Sequence, residues 1–107
     1  MALVDLAEAK AYLHVDTSDE DGVIDGLLAT AEYLCADVAR LDSEGWDSVN
    51  ADPTEEDSAE LTKTRALLRT AVMFALGYLN EHREEANHDD LVLTLRSLLT
   101  SVREGAW

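Results

Sequence analysis

The sequence predicts an all-α domain, small and four-helical, with a long central helix and a long loop between its second and third helices. Three observations carry that prediction. Apolar residues recur at spacings of three and four along four separate stretches, the repeat of an amphipathic helix. Aromatic residues make up only 6% of the chain while Ala and Leu abound, a composition that favours helices over strands. The single proline, Pro53, falls outside every one of the four stretches. At 107 residues the chain is read as one domain, 1–107, with a single modest core.

The first helix is expected over Asp5–Leu13. Asp5 is placed to cap it, Glu8 three residues on completes a capping box, and Leu6, Ala9 and Leu13 share a face. A helix this short is not stable alone and has to dock on others. The second is expected to start at Ser18, with Asp19, Glu20 and Asp21 where the helix dipole favours anions. Its stripe is Ile24, Leu27, Leu28, Ala31, Leu34, Cys35 and Val38, running to about Leu41. Tyr33 lies opposite that stripe among Gly26, Ala29 and Ala36, so it faces solvent or a partner.

Asp42–Asp57 shows no core pattern and reads as the long loop, with Trp46 at its middle. Sixteen residues exceed the usual helix–helix connection. Trp46 either folds back onto the helices or anchors a partner, and the loop as a whole is expected to face a neighbour or a tail protein and not to hold up the subunit. The central helix, Leu61–Glu85, starts after Pro53-Thr54 or at Ser58. Its face is Leu61, Leu68, Val72, Ala75 and Leu79, widened by Leu67, Ala71, Phe74 and Tyr78. The back of that helix is small, with Ala66, Thr70, Met73 and Gly77, which suits a helix enclosed by its neighbours. A last helix follows a cap at Asp89 or Asp90, its face made by Leu91, Leu95, Leu98 and Val102 with Val92 and Leu99 beside it. Residues 103–107 form a C-terminal tail. Trp107 follows Gly105 and Ala106 and is not needed for a core that closes at Val102.

The formal net charge is −15, and it is unevenly spread. Residues 1–60 hold seventeen carboxylates against Lys10 and Arg40, whereas residues 61–107 hold six carboxylates against six bases. The acidic half is unsuited to duplex DNA, whose phosphates need basic neutralisation. An acidic front and an Arg-dotted back are either ordinary solvated surface charge or suited to head-to-tail association, in which Arg65, Arg69 or Arg83 would meet a neighbour's carboxylates.

Signals for chemistry are missing. His14, His82 and His88 lie in different segments without metal-ligand spacing. The acidic DTSDEDG stretch fails as a calcium loop, since setting Gly22 at the sixth position puts Thr17 first and Leu28 twelfth. Cys35 has no adjacent base, no Ser sits in a nucleophile elbow, and no Gly-rich phosphate loop exists. The expectation is a non-enzymatic protein with no cofactor and no metal. A lone cysteine, no apolar run near the roughly 20 residues that span a bilayer, and no signal-peptide start suit a soluble intracellular product with no membrane partner.

The order of phrases resembles the head–tail connector family of tailed bacteriophages, the small helical adaptors beneath the portal. An opening "L-x-x-A-K-x-Y-L-x-V-D" is matched by Leu6, Ala9, Lys10, Tyr12, Leu13, Val15 and Asp16. The acidic "D-D-x-x-I" entry to the second helix is matched by Asp19, Asp21 and Ile24. An aromatic plus "N-R-E"-like close to the third helix is approximated by Tyr78, Asn80, Arg83 and Glu84, and a final "L-L-x-x-x-R" is met by Leu98, Leu99 and Arg103. The match covers nearly the whole chain apart from Asp42–Asp57. The resemblance implies a homo-oligomeric ring of about a dozen subunits, closed by a heterologous interface. Such a ring docks on the portal protein, receives a tail-side connector or stopper protein, and continues the DNA channel. It belongs to the virion and, during assembly, to the host cytoplasm. Its acidic lumen would let DNA slide without sequence-specific binding. Candidate interface residues are Tyr33, Trp46, Arg65, Arg69, Arg83, Arg103 and Trp107. The rival reading is a small acidic partner-binding protein, a DNA-mimic-type inhibitor, which needs carboxylates in rows at phosphate spacing. A third, an ordinary helical scaffold protein, predicts no charge asymmetry.

Overall fold

Five helices and no strand make up the described residues of the computed structural model, which are 3–15, 19–51, 54–82 and 89–100. The helices are α1 (Leu6–Tyr12), α2 (Asp21–Ala39), α3 (Ser43–Asn50), α4 (Ala59–Glu81) and α5 (Asp89–Leu98). The all-helical expectation holds. The arrangement of four helices around a long loop does not, because Ser43–Asn50 is itself helical.

The frame is α2 packed along α4, with α1 and α5 each resting on both and α3 on α4. One hydrophobic cluster joins them. From α2 it takes Ile24, Leu28, Ala31, Cys35 and Val38, and from α4 it takes Leu68, Ala71, Val72, Ala75, Leu76 and Leu79. Leu91, Leu95 and Leu99 close it from the last helix and the turn beyond, a repeat of four that displaces the expected Leu98 to the rim. On α4 the buried positions span little more than a third of the circumference. Phe74 lies outside that arc and is 41% exposed, so it does not widen the core as expected. Ala66 and Thr70 on the back of the helix are exposed too.

Local chemistry explains the element boundaries. Asp5 accepts a hydrogen bond from the Glu8 N–H at 2.8 Å, and its own N–H donates to Glu8 Oε1, so the capping box of α1 is complete. The expected start of α2 at Ser18 lies outside the described residues. The helix itself begins at Asp21 behind Glu20, which makes no side-chain cap. Asp21 instead pairs with Lys10 Nζ at 2.7 Å, tying the start of α2 to α1. The end of α2 is set by Arg40 in the left-handed conformation (φ 59°). There the Leu41 N–H donates to the Ala36 carbonyl and the Arg40 N–H to Asp37, the paired bonds of a Schellman stop. Glycine usually fills that position, and its absence is why periodicity alone carries the helix on to Leu41.

Asp42 then caps α3 directly, accepting from the Gly45 N–H at 2.7 Å. Six of these eight residues are polar or Gly, which leaves too few apolar positions for a periodic signal, yet Val49 is 1% exposed and Trp46 packs half-buried against the core. The expectation that this segment stands apart from the subunit's fold is therefore corrected. Ser58 caps α4, accepting from the Leu61 N–H at 3.0 Å, which selects it over Pro53-Thr54. That helix is described as far as Glu81 and its cap His82, whose ring stacks on Tyr78 with centroids 4.0 Å apart.

Candidate functional site

The candidate interface residues fall into three groups. Arg83, Arg103 and Trp107 lie outside the described residues. Arg65, Arg69 and Trp46 are built into the subunit, and Tyr33 stands out from it.

Arg65 projects from the edge of α4 toward α3. Its Nε donates to the Val49 carbonyl at 3.0 Å, Nη2 reaches the Ser48 carbonyl at 3.4 Å, and Nη1 donates to Asp57 Oδ2 at 3.0 Å. Those carbonyls are at the C-terminal end of α3, where a helix has no intrahelical donors left and its dipole attracts a cation. Asp57 is held below the usual carboxylate range first by the Thr54 N–H, which donates at 2.9 Å, and then by Arg65. One turn further along, Arg69 donates through Nη1 to the Leu3 carbonyl at 3.0 Å and through Nη2 to Glu8 Oε2. The Arg69 hydrogen bond is the largest cause of the depressed Glu8 carboxyl, and Glu8 in turn raises Arg69. Asn50 completes the tie by accepting from the Leu3 N–H at 2.6 Å. The two arginines thus clamp α3 and the N-terminal segment onto α4. Their donors point into the subunit, where the sequence reading expected a neighbour's carboxylates.

Tyr33 is 70% exposed, the most exposed large apolar residue described. Around it on the outer side of α2 are Gly26, Ala29, Thr30 and Asp37, all exposed. Further along the chain, past the exposed Arg40, Asp42, Glu44 and Asp47 on and before α3 are exposed as well. Between Lys10 and Lys63 the sole base is Arg40. On the inner side of α2, Glu32 has its carboxyl pushed up by burial and then by the nearby Asp25 charge. Cys35 is enclosed, and burial together with Glu32 pushes its thiol up to about 12.

A second surface feature was missed in the sequence. Tyr12, Arg69, Thr70, Met73 and Phe74 line a groove of about 370 Å³ where α1 meets the outer side of α4. Tyr12 reaches it by lying over Gly77, where a β-carbon would sit 3.1 Å from the phenol ring and 3.2 Å from its hydroxyl. The sequence holds part of the signal, since Gly77 and Thr70 share the small back of α4, but that pattern by itself equally suits a covering helix. A further hollow of about 410 Å³, lined by Leu6, Ala7, Lys10, Ala11, Val15 and Asp21, has its charged pair already joined.

No family model, curated protein or solved structure matches this chain. Among the described residues, no helix is long and apolar enough to cross a membrane.

Proposed function

We propose that this chain is a subunit of a homo-oligomeric ring of the head–tail connector type, docked beneath a phage portal and extending its DNA channel toward the tail. The observation that carries the reading is the order of the four connector-like phrases along nearly the whole chain. Their residues serve the fold in ways that give the spacing a physical sense. Ala9 and Ile24 are fully enclosed, Lys10 meets Asp21, Tyr12 covers Gly77 and Tyr78 stacks on His82. The charge adds to it. A net charge of −15 leaves ample carboxylate for a channel wall that repels a DNA backbone and lets it pass. Portal protein on one side and a tail-side connector or stopper on the other are the partners that this role requires.

The test is the solution mass of the full chain, alone and with a portal protein, together with negative-stain images. Closed rings, free or portal-bound, are the expected result. A strictly monomeric protein at high concentration in both settings overturns the reading. It would favour the acidic inhibitor, which a host nuclease or repressor binding assay would then examine.

A further inference from the structure

We propose that the contact between neighbouring copies is made by Tyr33 of one subunit entering the Tyr12–Met73–Phe74 groove of the next. This rests on the self-assembly reading above and gives it a location. Three observations bear on the choice of occupant.

The first is charge. Two copies at −15 each repel, so a stable contact has to bring an acidic face against one that is not acidic. Residues 61–80 of α4 contain no carboxylate and carry Lys63, Arg65 and Arg69. Glu8, the carboxylate beside the groove, is already met by Arg69. The stretch that holds Tyr33, by contrast, carries the exposed acids Asp25, Asp37, Asp42, Glu44 and Asp47 against Arg40 alone. Pairing two Tyr33 faces would set those acids against their copies, whereas pairing Tyr33 with the groove does not.

The second is shape and polarity. Around Tyr33 the surface is low, since its helical neighbours three and four residues away are Ala29, Thr30, Ala36 and Asp37, none with a long side chain. The phenol therefore stands proud of its surroundings as a knob. The groove is lined by the apolar Phe74 and Met73 beside Thr70 and Arg69, the latter bonded to the Leu3 carbonyl and Glu8. A tyrosine has the same division, an apolar ring with a hydroxyl that seeks a partner.

The third is direction. α2 and α4 bury their inner faces against each other, so the outer faces that carry the knob and the groove look away from one another. A subunit cannot fill its own groove. Each contact leaves one knob and one groove free, the condition for a heterologous chain that closes into a ring.

The experiment uses the full chain at a concentration where the wild type assembles, with Tyr33→Glu and Phe74→Glu made separately. Both positions are exposed, so circular dichroism should show folded protein. If Phe74→Glu fails to fold, Thr70→Glu in the same groove takes its place. Each variant alone should run at the mass of a single subunit. Mixed together they should form a dimer and stop there, because the groove of the Tyr33 variant and the knob of the Phe74 variant are both intact. Assembly of either variant at wild-type size, or a mixture that stays monomeric, overturns the pairing and leaves the ring reading standing. A wild type that never assembles removes the self-assembly reading itself, and the pairing with it.

Discussion

Replacing Val49 with alanine tests whether α3 belongs to the core. Val49 is 1% exposed and sits at the last turn of a helix that sequence periodicity does not reveal. The change deletes two methyl groups from an enclosed site, about 0.8 kcal/mol each for transfer, plus a share for the cavity left behind. The expected loss is about 2 kcal/mol. For a chain of 107 residues, an unfolding entropy of about 2.1 cal/mol/K per residue converts this to a fall in Tm of roughly 9 °C. The assay is thermal unfolding followed by circular dichroism at 222 nm, run beside Ser48→Ala, an exposed neighbour on the same helix. Surface substitutions usually stay within about 0.5 kcal/mol. A Val49→Ala loss inside that range, equal to the Ser48 control, would mean that α3 is detached and that the Arg65 contacts with its C-terminal carbonyls do not hold it.

The other predictions use the same comparison of folded and unfolded states. Leu68→Ala, at a fully enclosed position midway along α4, should cost about 2–5 kcal/mol in denaturant unfolding, and a loss under 0.5 would move the centre of the fold elsewhere. Glu32→Gln should raise Tm at pH 7, because burial and Asp25 disfavour the charged carboxyl, and the gain should vanish as pH falls through and below the carboxylate range, where Glu32 is already neutral in both states. A gain that persists at low pH would mean that charge is not the cause. The Glu8 and Asp57 carboxyls act in the opposite sense, since both are lowered in the folded state. Their stabilisation is fully present above the ordinary carboxylate values and is lost as pH falls through the lowered ones, so Arg69→Ala should flatten the acid limb of the Tm–pH curve. With its thiol near 12, Cys35 is thiolate to about one part in ten thousand at pH 8, so a disulfide reagent should label it only after unfolding, and prompt labelling of native protein would mean that the α2–α4 contact opens readily.

Read residue by residue, the chain alone determined the helical class, the α1 capping box, the stripe of α2, Leu91 and Leu95 of α5, the core line of α4 and the exposure of Tyr33. Each of these depends on neighbours within four residues, where spacing and caps act directly. The tertiary structure decided the rest. Whether Val49 and Trp46 are core depends on α4 passing beneath them, and no local pattern over Ser43–Asn50 records that. Arg65 and Arg69 look from the sequence like cations free for a neighbour, because their acceptors, the carbonyls of Val49 and Leu3, lie 16 and 66 residues away and carry no side-chain signature. Phe74 became surface because α1, α2, α3 and α5 together cover only part of the circumference of α4, and the Tyr12 groove exists because Gly77 lets α1 come close. Burial and ion pairing are sums over chain segments distant in sequence, so only the packed molecule could assign them.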